Sequence, residues 1–509
     1  MERTLKCLVG GLCMAGAFPP FHLYPLVLPA FALLYASVSV RAKGAFFCGF
    51  LWGLSFFLPL TYWVSLATES YLPWIALTAV EAAFVGLWAH FVNMFSRTLP
   101  AFLALAVAAV SWAGVELIRG LVPFGGFAWG FAAYPWADSW VGAVAPYAGA
   151  AGVSALTYLA GGALASIRRP SNLVVFICAL VLPLALPAPG VGRGEAGFRD
   201  SYFAKVPRTD QEIEVAAIQG GVPLKVYNQG PVATASAHMS LGRTVKGADL
   251  VVMGENAGED PRVSSSGLAG YLQIVKQNGP VLTGTVRYED DHRFNDYVAV
   301  SSDGVGPVYT KQAPVPFGEY VPYQSLFRHL SPVMDQIRQM LPGKTPALLK
   351  VNTPKGNISV ITPICFEVAK PQLLRPPVMS GGGLIIVPSN NSSFGSTAQS
   401  RQQLQILQFR AREMVKSGVQ ISTSGMSGFV NPDGQIESRA ELYEESVLRQ
   451  KITINNYVSY AVRYGNTIES GTILFTLSVW FVAATARLIR AGSGRPRANA
   501  RNARPRVAR

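Results

Sequence analysis

Residues 358–367 read ISVITPICFE, and the reading of the water-facing part of the chain turns on them. Ile358, Val360 and Ile361 fit a buried strand over Ile358–Cys365, with Phe366 and Glu367 following. The strand thus delivers a thiol to its end. Similar apolar runs bounded by turn residues stand at Glu214–Gln219, Asp249–Glu255, Val281–Val286, Tyr297–Ser301, Leu384–Pro388 and Val419–Thr423. Stretches between them read helically, most clearly Gln402–Lys416. Strands and helices mixed in this way predict a layered α/β domain.

Two further reactive residue types join Cys365. The run DLVVMGE (249–255) ends in Glu255, and VYTKQAPVPFGEYVP (308–322) supplies Lys311 and Glu319. A thiol is mostly protonated at neutral pH and needs a base or a cation to become a nucleophile. A carboxylate can take its proton, and an ammonium can hold the thiolate and then a tetrahedral oxyanion. Glu, Lys and Cys are therefore a sufficient set for acyl transfer. Taken singly they are weak signals, since a strand-end Glu or Lys is commonly solvated and a strand Cys commonly packs in a core. The five histidines (22, 90, 238, 292 and 329) show no pairing with Cys365, and there is no metal-ligand spacing and no G-x-S-x-G elbow. The sequence calls for no metal and no cofactor.

Half of the 509 residues are apolar, 14% are charged and the mean hydropathy is +0.28. Only 13 of the charges fall in residues 1–190. That distribution excludes a uniformly soluble chain, a disordered one and a purely membranous one. A membrane crossing needs about 20 apolar residues. Seven such runs precede residue 190 (5–19, 23–40, 44–66, 72–94, 99–118, 145–166 and 171–188), and an eighth lies at 470–489. With the N-terminus inside, the inner loops carry Arg3, Lys6, Arg41, Lys43, Arg97, Arg168 and Arg169. The outer loops carry Arg119, beside acidic Glu69 and Asp138. This bias predicts an extracytoplasmic domain and a cytoplasmic C-terminus. The tail 487–509 holds eight Arg and no acid, which fits a disordered anchor on anionic lipid headgroups rather than a nucleic-acid binder. The expected division is a helical bundle at 1–190, a catalytic domain at 191–468, a membrane helix at 469–490 and the tail at 491–509. Of the five cysteines, Cys365 alone lies in the water-facing part.

The segments resemble the nitrilase superfamily, whose members use Glu, Lys and Cys in an αββα sandwich. More closely, the chain resembles the bacterial apolipoprotein N-acyltransferase family. The likeness runs through FPPF (18–21), Glu116 with Arg119, PFGGFAWG (123–130), QGGVP (219–223), PVPFGEYVP (314–322), ICFE (364–367) and SNNSSFG (389–395). The form of the last is most like actinobacterial members. The resemblance implies Glu255 as general base, Lys311 as oxyanion stabiliser and Cys365 as nucleophile, with Glu319, Glu367 and Phe366 in support. It implies a phospholipid as acyl donor, a thioester on Cys365, and the α-amine of a diacylglyceryl-cysteine at a lipoprotein's N-terminus as acceptor. A membrane-tethered amidase using water as acceptor, or a catalytically silent scaffold, are the competing readings. Departures from the family pattern are Met253-Gly254 before Glu255, Ala313-Pro314 after the lysine, Phe366 in place of a common Tyr, and Ser393 in place of Trp.

Two expectations come from the residues alone. Apolar side chains at helical spacing in 323–341 (Leu326, Phe327, Leu330, Val333, Met334, Ile337, Met340, Leu341) predict an amphipathic arm or lid beside the site, with core packing as the plainer reading. Glu81 and Glu116 are costly within apolar runs, and Glu116 is expected either to pair with Arg119 one turn on or to face the substrate.

Overall fold

The computed structural model describes residues 1–39, 44–186, 208–223, 231–327, 334–335 and 337–493. The expected domain junction at 190 and the Arg-rich segment 494–509 lie outside the described residues.

The apolar runs become helices: α1 (Glu2–Gly16), α2 (Val27–Val38), α3 (Ala45–Leu60), short α4 (Trp63–Ala67), α5 (Tyr71–Phe95), α6 (Ala101–Arg119), α7 (Ala145–Leu164) and α8 (Pro170–Ala185). Among the described residues four stretches are long and apolar enough to cross a membrane, namely Tyr71–Phe95, Ala101–Arg119, Trp140–Leu164 and Tyr460–Ile489. Tyr24–Val38, Ala45–Leu60 and Pro170–Ala185 are apolar but shorter. Eight full-length spans were expected. α1 ends at Gly16, ahead of the turn at Phe18-Pro19-Pro20, and α3 ends one residue after Pro59, while α2 and α8 end beside segments outside the described residues.

Rings interlock at the centre of the bundle. Trp112 meets Phe31, Trp88 and Trp52 at centroid distances of 4.9, 5.2 and 5.7 Å. Such contacts matter because lipid supplies no hydrophobic drive between helices. Indole N–H groups are satisfied by backbone, Trp52 donating to the Ala30 carbonyl and Trp88 to that of Ala108.

The expected Glu116–Arg119 pair does not form. Arg119 instead donates to Glu81 Oε2 at 3.0 Å, to the carbonyls of Phe127 (3.1 Å) and Trp129 (2.7 Å), and to that of Gly130 (3.1 Å). Glu116 accepts from Trp112 Nε1 (3.0 Å) and from the amide of Ala132 (2.8 Å). The guanidinium fork finds three carbonyls and a counter-charge together only on the loop side. Two residues of one helix thus grip the second half of the loop 120–133.

The second half is a sandwich of two six-stranded sheets, ordered β12-β1-β2-β3-β4-β5 and β11-β10-β9-β8-β7-β6. The first holds β1 (Arg208–Gly220), β2 (Leu250–Met253), β3 (Val281–Glu289), β4 (His292–Ser301), β5 (Gly304–Thr310) and β12 (Glu445–Asn455). The second holds β6 (Leu348–Thr353), β7 (Gly356–Ile361), β8 (Leu384–Ser389), β9 (Ser417–Ser422), β10 (Ser427–Val430) and β11 (Ile436–Ala440). The central triplets β1-β2-β3 and β7-β8-β9 are parallel, and the flanking pairings are antiparallel.

Strand composition explains the layering. Val215, Ala217, Leu250 and Val252 meet Leu384 and Ile386 between the sheets. Their alternates Ala216, Ile218, Val251 and Met253 pack outward on Met239, Tyr271 and Ile274 of α9 (Pro231–Gly242) and α10 (Ser265–Val275). Ile385 and Val387 face the other way, into a core shared with α11 (Pro371–Met379), α12 (Gln399–Met414) and the bundle. Continuous apolar strands are what a sheet covered on both faces demands. At about 25 cal/mol per Å² of apolar surface, each fully buried Val or Leu contributes roughly 1.5–3 kcal/mol. The chain ends in α13 (Tyr460–Ser493), which approaches α6 closely where Gly114 faces Thr476.

Of the amphipathic helix expected at 323–341, the described residues show a turn at Gln324–Phe327 and helical residues at 334–335. Leu330 and Val333 lie outside the described residues, and Met340 forms an isolated bridge with Arg293.

Candidate active site

The nucleophile candidate stands on a turn at the C-terminal end of β7. Cys365 begins a short 3₁₀ segment, Cys365–Ala369, with φ of +54°. A side chain in this left-handed region costs of order 1–3 kcal/mol and persists only when its surroundings enforce it. Glu367 provides the enforcement. Its fully buried carboxylate accepts from the amides of Gln312 (2.7 Å), Ala313 (2.8 Å) and Ile364 (2.8 Å), and from the Tyr309 hydroxyl (2.8 Å). One side chain therefore fastens the cysteine turn to the segment that follows Lys311.

Glu255 lies just past β2. Its Oε1 accepts from Asn295 Nδ2 (2.5 Å) and from Lys311 Nζ (3.4 Å), and its Oε2 accepts from the amide of Asn390 (2.9 Å). Lys311 follows β5, has no exposed surface, and donates to Glu319 Oε1 at 2.6 Å. Glu319 is held in turn by the Val315 amide at 2.7 Å. The Met253-Gly254 departure has a packing reason. A Cβ at Gly254 would lie 2.9 Å from the Thr423 nitrogen and 3.0 Å from the Ser389 carbonyl, so the two sheets touch backbone to backbone there. Met253 meanwhile fills the outer core.

The electrostatics are coupled. Burial raises the Glu255 carboxyl above its ordinary range, Lys311 opposes this and Glu319 adds to it. Burial alone would lower the Lys311 ammonium, but Glu319 and Glu255 outweigh it and hold the group protonated. Burial pushes the Cys365 thiol up, Glu255 adds to the rise, and Lys311 counters it. The resting thiol is therefore protonated, with a carboxylate and an ammonium both within electrostatic reach of it.

The structure brings Glu255, Lys311, Glu319, Cys365, Phe366 and Glu367 to one place. The sequence reading did not single out Asn295, Tyr309, Gln402 or Lys370. Asn295 and Tyr309 sit on β4 and β5, whose pairing with the rest of their sheet only the fold defines. Asn390 acts through its backbone, which leaves no side-chain signal. No group of three or more His, Cys, Asp or Glu able to hold a metal occurs among the described residues.

One wall of the site belongs to the bundle. The Phe366 ring stacks on Trp129 (5.8 Å between centroids, 9° between planes) and on Phe127 (6.1 Å, 15°). Gln402 of α12 joins the two halves, its Oε1 accepting from Trp129 (2.8 Å) and Trp63 (3.2 Å). Its amide nitrogen donates to the carbonyls of Pro19 (3.3 Å) and Leu60 (3.1 Å). Phe124 of the same loop meets Phe317 and Phe327 at 5.6 and 6.1 Å.

Residues 10–163 match the family model described as apolipoprotein N-acyltransferase N-terminal domain. A protein of Photobacterium profundum named apolipoprotein N-acyltransferase is 27% identical over 97% of this chain and 96% of its own length. One of Mycolicibacterium smegmatis with the same name is 27% identical over 93% of this chain and 84% of its own. Among solved structures, a CN-hydrolase superfamily protein from Xanthomonas campestris is similar over 52% of this chain and 97% of its own, at 15% identity and a TM-score of 0.36. An amidase from Nesterenkonia covers 48% of this chain and 91% of its own, at 16% identity and 0.33. The family model and the relatives of nearly full length support an acyltransferase whose N-terminal part is a bundle of apolar helices. Along nearly its full length the chain is similar to proteins named apolipoprotein N-acyltransferase.

Proposed function

We propose that this chain moves an acyl chain from a membrane phospholipid, through a thioester on Cys365, to the α-amine of the N-terminal diacylglyceryl-cysteine of a lipoprotein. The observation that carries the reading is the buried Glu255–Lys311–Cys365 cluster with its aromatic wall on the membrane bundle. In the first half-reaction Glu255 takes the thiol proton and the sulfur attacks the ester carbonyl. Lys311 holds the oxyanion. Collapse expels the lysophospholipid alkoxide, which receives the proton from Glu255. In the second half-reaction the amine attacks the thioester, Glu255 takes a proton from the amine, an amide forms and the sulfur leaves to be reprotonated.

The proposed topology has eight crossings, α1–α3, α5–α8 and α13, with the N-terminus and the Arg-rich tail in the cytoplasm. Its support is charge placement. Arg3 begins α1 and donates to the Ser37 carbonyl at the end of α2, and Arg97 just past α5 donates to Asn93. Pro19, Leu60 and Trp63, at the opposite ends of α1 and α3, meet the catalytic domain through Gln402. The basic end thus faces away from the site, as an inner face does. The proposal keeps the division at 1–190, 191–468 and 469–490, with the first turns of α13 (Tyr460–Ser493) counted in the catalytic part.

Intact-mass analysis after incubation with phospholipid tests the reading. The expected result is an acyl adduct that hydroxylamine removes and that Cys365→Ala lacks. No adduct under conditions that acylate a related enzyme would refute it. An added diacylated lipopeptide then distinguishes amine from water as acceptor.

A further inference from the structure

Several buried cations around the site are matched by acids: Lys311 by Glu255 and Glu319, Arg375 by Glu469, and Arg410 by Glu413. Lys370 is not. Its side chain is buried, and among the described residues no carboxylate lies within 4.0 Å of its nitrogen. Its hydrogen-bond partner is the Gly125 carbonyl at 2.6 Å, and it lies 5.7 Å from the centroid of the Phe366 ring. An ammonium carries three donors. Lys416, which also lacks an acid, places its donors on Asn455 O, Asn455 Oδ1 and Tyr457 O, so it is saturated by protein. Lys370 has donors to spare. Burial lowers its pKa and the more distant Glu367 only partly offsets this, as expected of an ammonium with no carboxylate in contact.

The space beside this ammonium is open. Gly125 has φ of +89°, and a Cβ placed on it would meet, beyond its chain neighbours, Lys370 Nζ at 3.7 Å and no other atom within 4 Å. The loop rim next to it is apolar and exposed, with Leu121, Val122 and Phe124 continuing into Tyr323 and Leu326. A cation with free donors, five residues from Cys365, facing open space and edged by exposed apolar side chains, fits a ligand with an anionic head and hydrocarbon tails.

We propose that Lys370 binds the phosphodiester of the lipid acyl donor and so sets the donor's ester against Cys365. This rests on the acyltransferase reading above. The phosphate displaces the Gly125 carbonyl or shares the ammonium with it, and the Phe366 ring holds the lysine stem in line. Lys370 is then a specificity residue, selecting phosphodiester lipids over neutral glycerides.

The test uses the full-length protein in neutral detergent and native mass spectrometry with an uncleavable ether-linked phosphatidylglycerol. An ether-linked diglyceride without phosphate is the control. One charge-assisted hydrogen bond is worth about a factor of ten or more. Lys370→Gln, and Lys370→Met as a second neutral variant, should each bind the phospholipid about tenfold more weakly than the native protein. Lys370→Arg should retain binding, and all four proteins should take up the diglyceride equally. Undiminished phospholipid binding by the neutral variants would overturn the proposal. So would an equal loss of both lipids, which would make Lys370 a packing residue. Displacement of the phospholipid by millimolar inorganic phosphate would reassign the site to a free anion. Cys365 acylation by diester phospholipid is followed in the same preparations. Its absence from the native protein would refute the acyltransferase reading, while the ether-lipid comparison would still decide the role of Lys370.

Discussion

Replacing Glu367 by Gln tests whether one carboxylate holds the nucleophile turn. Glu367 accepts four hydrogen bonds, two on Oε1 from Gln312 and Ala313 and two on Oε2 from Ile364 and Tyr309. An amide keeps one acceptor oxygen. The better placement leaves that oxygen on Gln312 and Ala313, and the new NH₂ donates to the Tyr309 hydroxyl, which can rotate to accept. The Ile364 N–H then faces a donor, and an unsatisfied buried group costs about 1–3 kcal/mol. Loss of the charge weakens the remaining bonds by about 1–2 kcal/mol more. The expected cost is therefore about 2–5 kcal/mol. It falls on the turn that keeps Cys365 at positive φ and on the segment behind Lys311. We expect the Cys365 acylation rate, followed by intact mass, to fall by at least about thirtyfold, with a clear drop in thermal transition temperature. A Glu367→Gln protein that acylates within about threefold of the native rate would show that the turn is held by something else.

Three further outcomes follow from the geometry. Gly254→Ala places a methyl group against the Thr423 and Ser389 backbone and should cost about 1–3 kcal/mol, read as a lowered thermal transition; an unchanged transition would refute the close approach. The acylation rate should fall on acidification through a pKa above the ordinary carboxylate value of about 4.3, because burial raises Glu255 and the base must be ionised; a pH–rate profile flat down to pH of about 4.3 would exclude Glu255 as base. Phe327→Asp breaks the ring cluster with Phe124 and Phe317 and should slow acylation by vesicle phospholipid while sparing a short soluble ester; equal loss on both, with a lowered thermal transition, would return Phe327 to core packing.

The sequence alone determined those features that local periodicity records. Apolar runs gave the helices, because a helix in lipid or in a bundle core needs nearly every side chain apolar. The continuous runs at Leu250–Met253, Leu384–Ser389 and Ser417–Ser422 could be read as strands because both of their faces are buried. The flanking strands β5, β6, β11 and β12 carried no such signal, since they mix exposed polar and buried positions and contain Gly, Pro and charged residues. The residue types for acyl transfer were visible, but not their spacing in three dimensions, since Glu255, Lys311 and Cys365 stand on three different strand ends. Tertiary structure also chose the partners. Arg119 turned from Glu116, one helical turn away, to Glu81 on another helix, because the loop carbonyls it also needs lie on that side. The periodicity of 323–341 predicted a helix; among its described residues Gln324–Phe327 form a turn, and the Met340 backbone bridges to Arg293, a pairing that periodicity does not record. Periodicity reports how many faces of a segment are shielded from water, whereas the choice of partner depends on which groups the fold brings within hydrogen-bond reach.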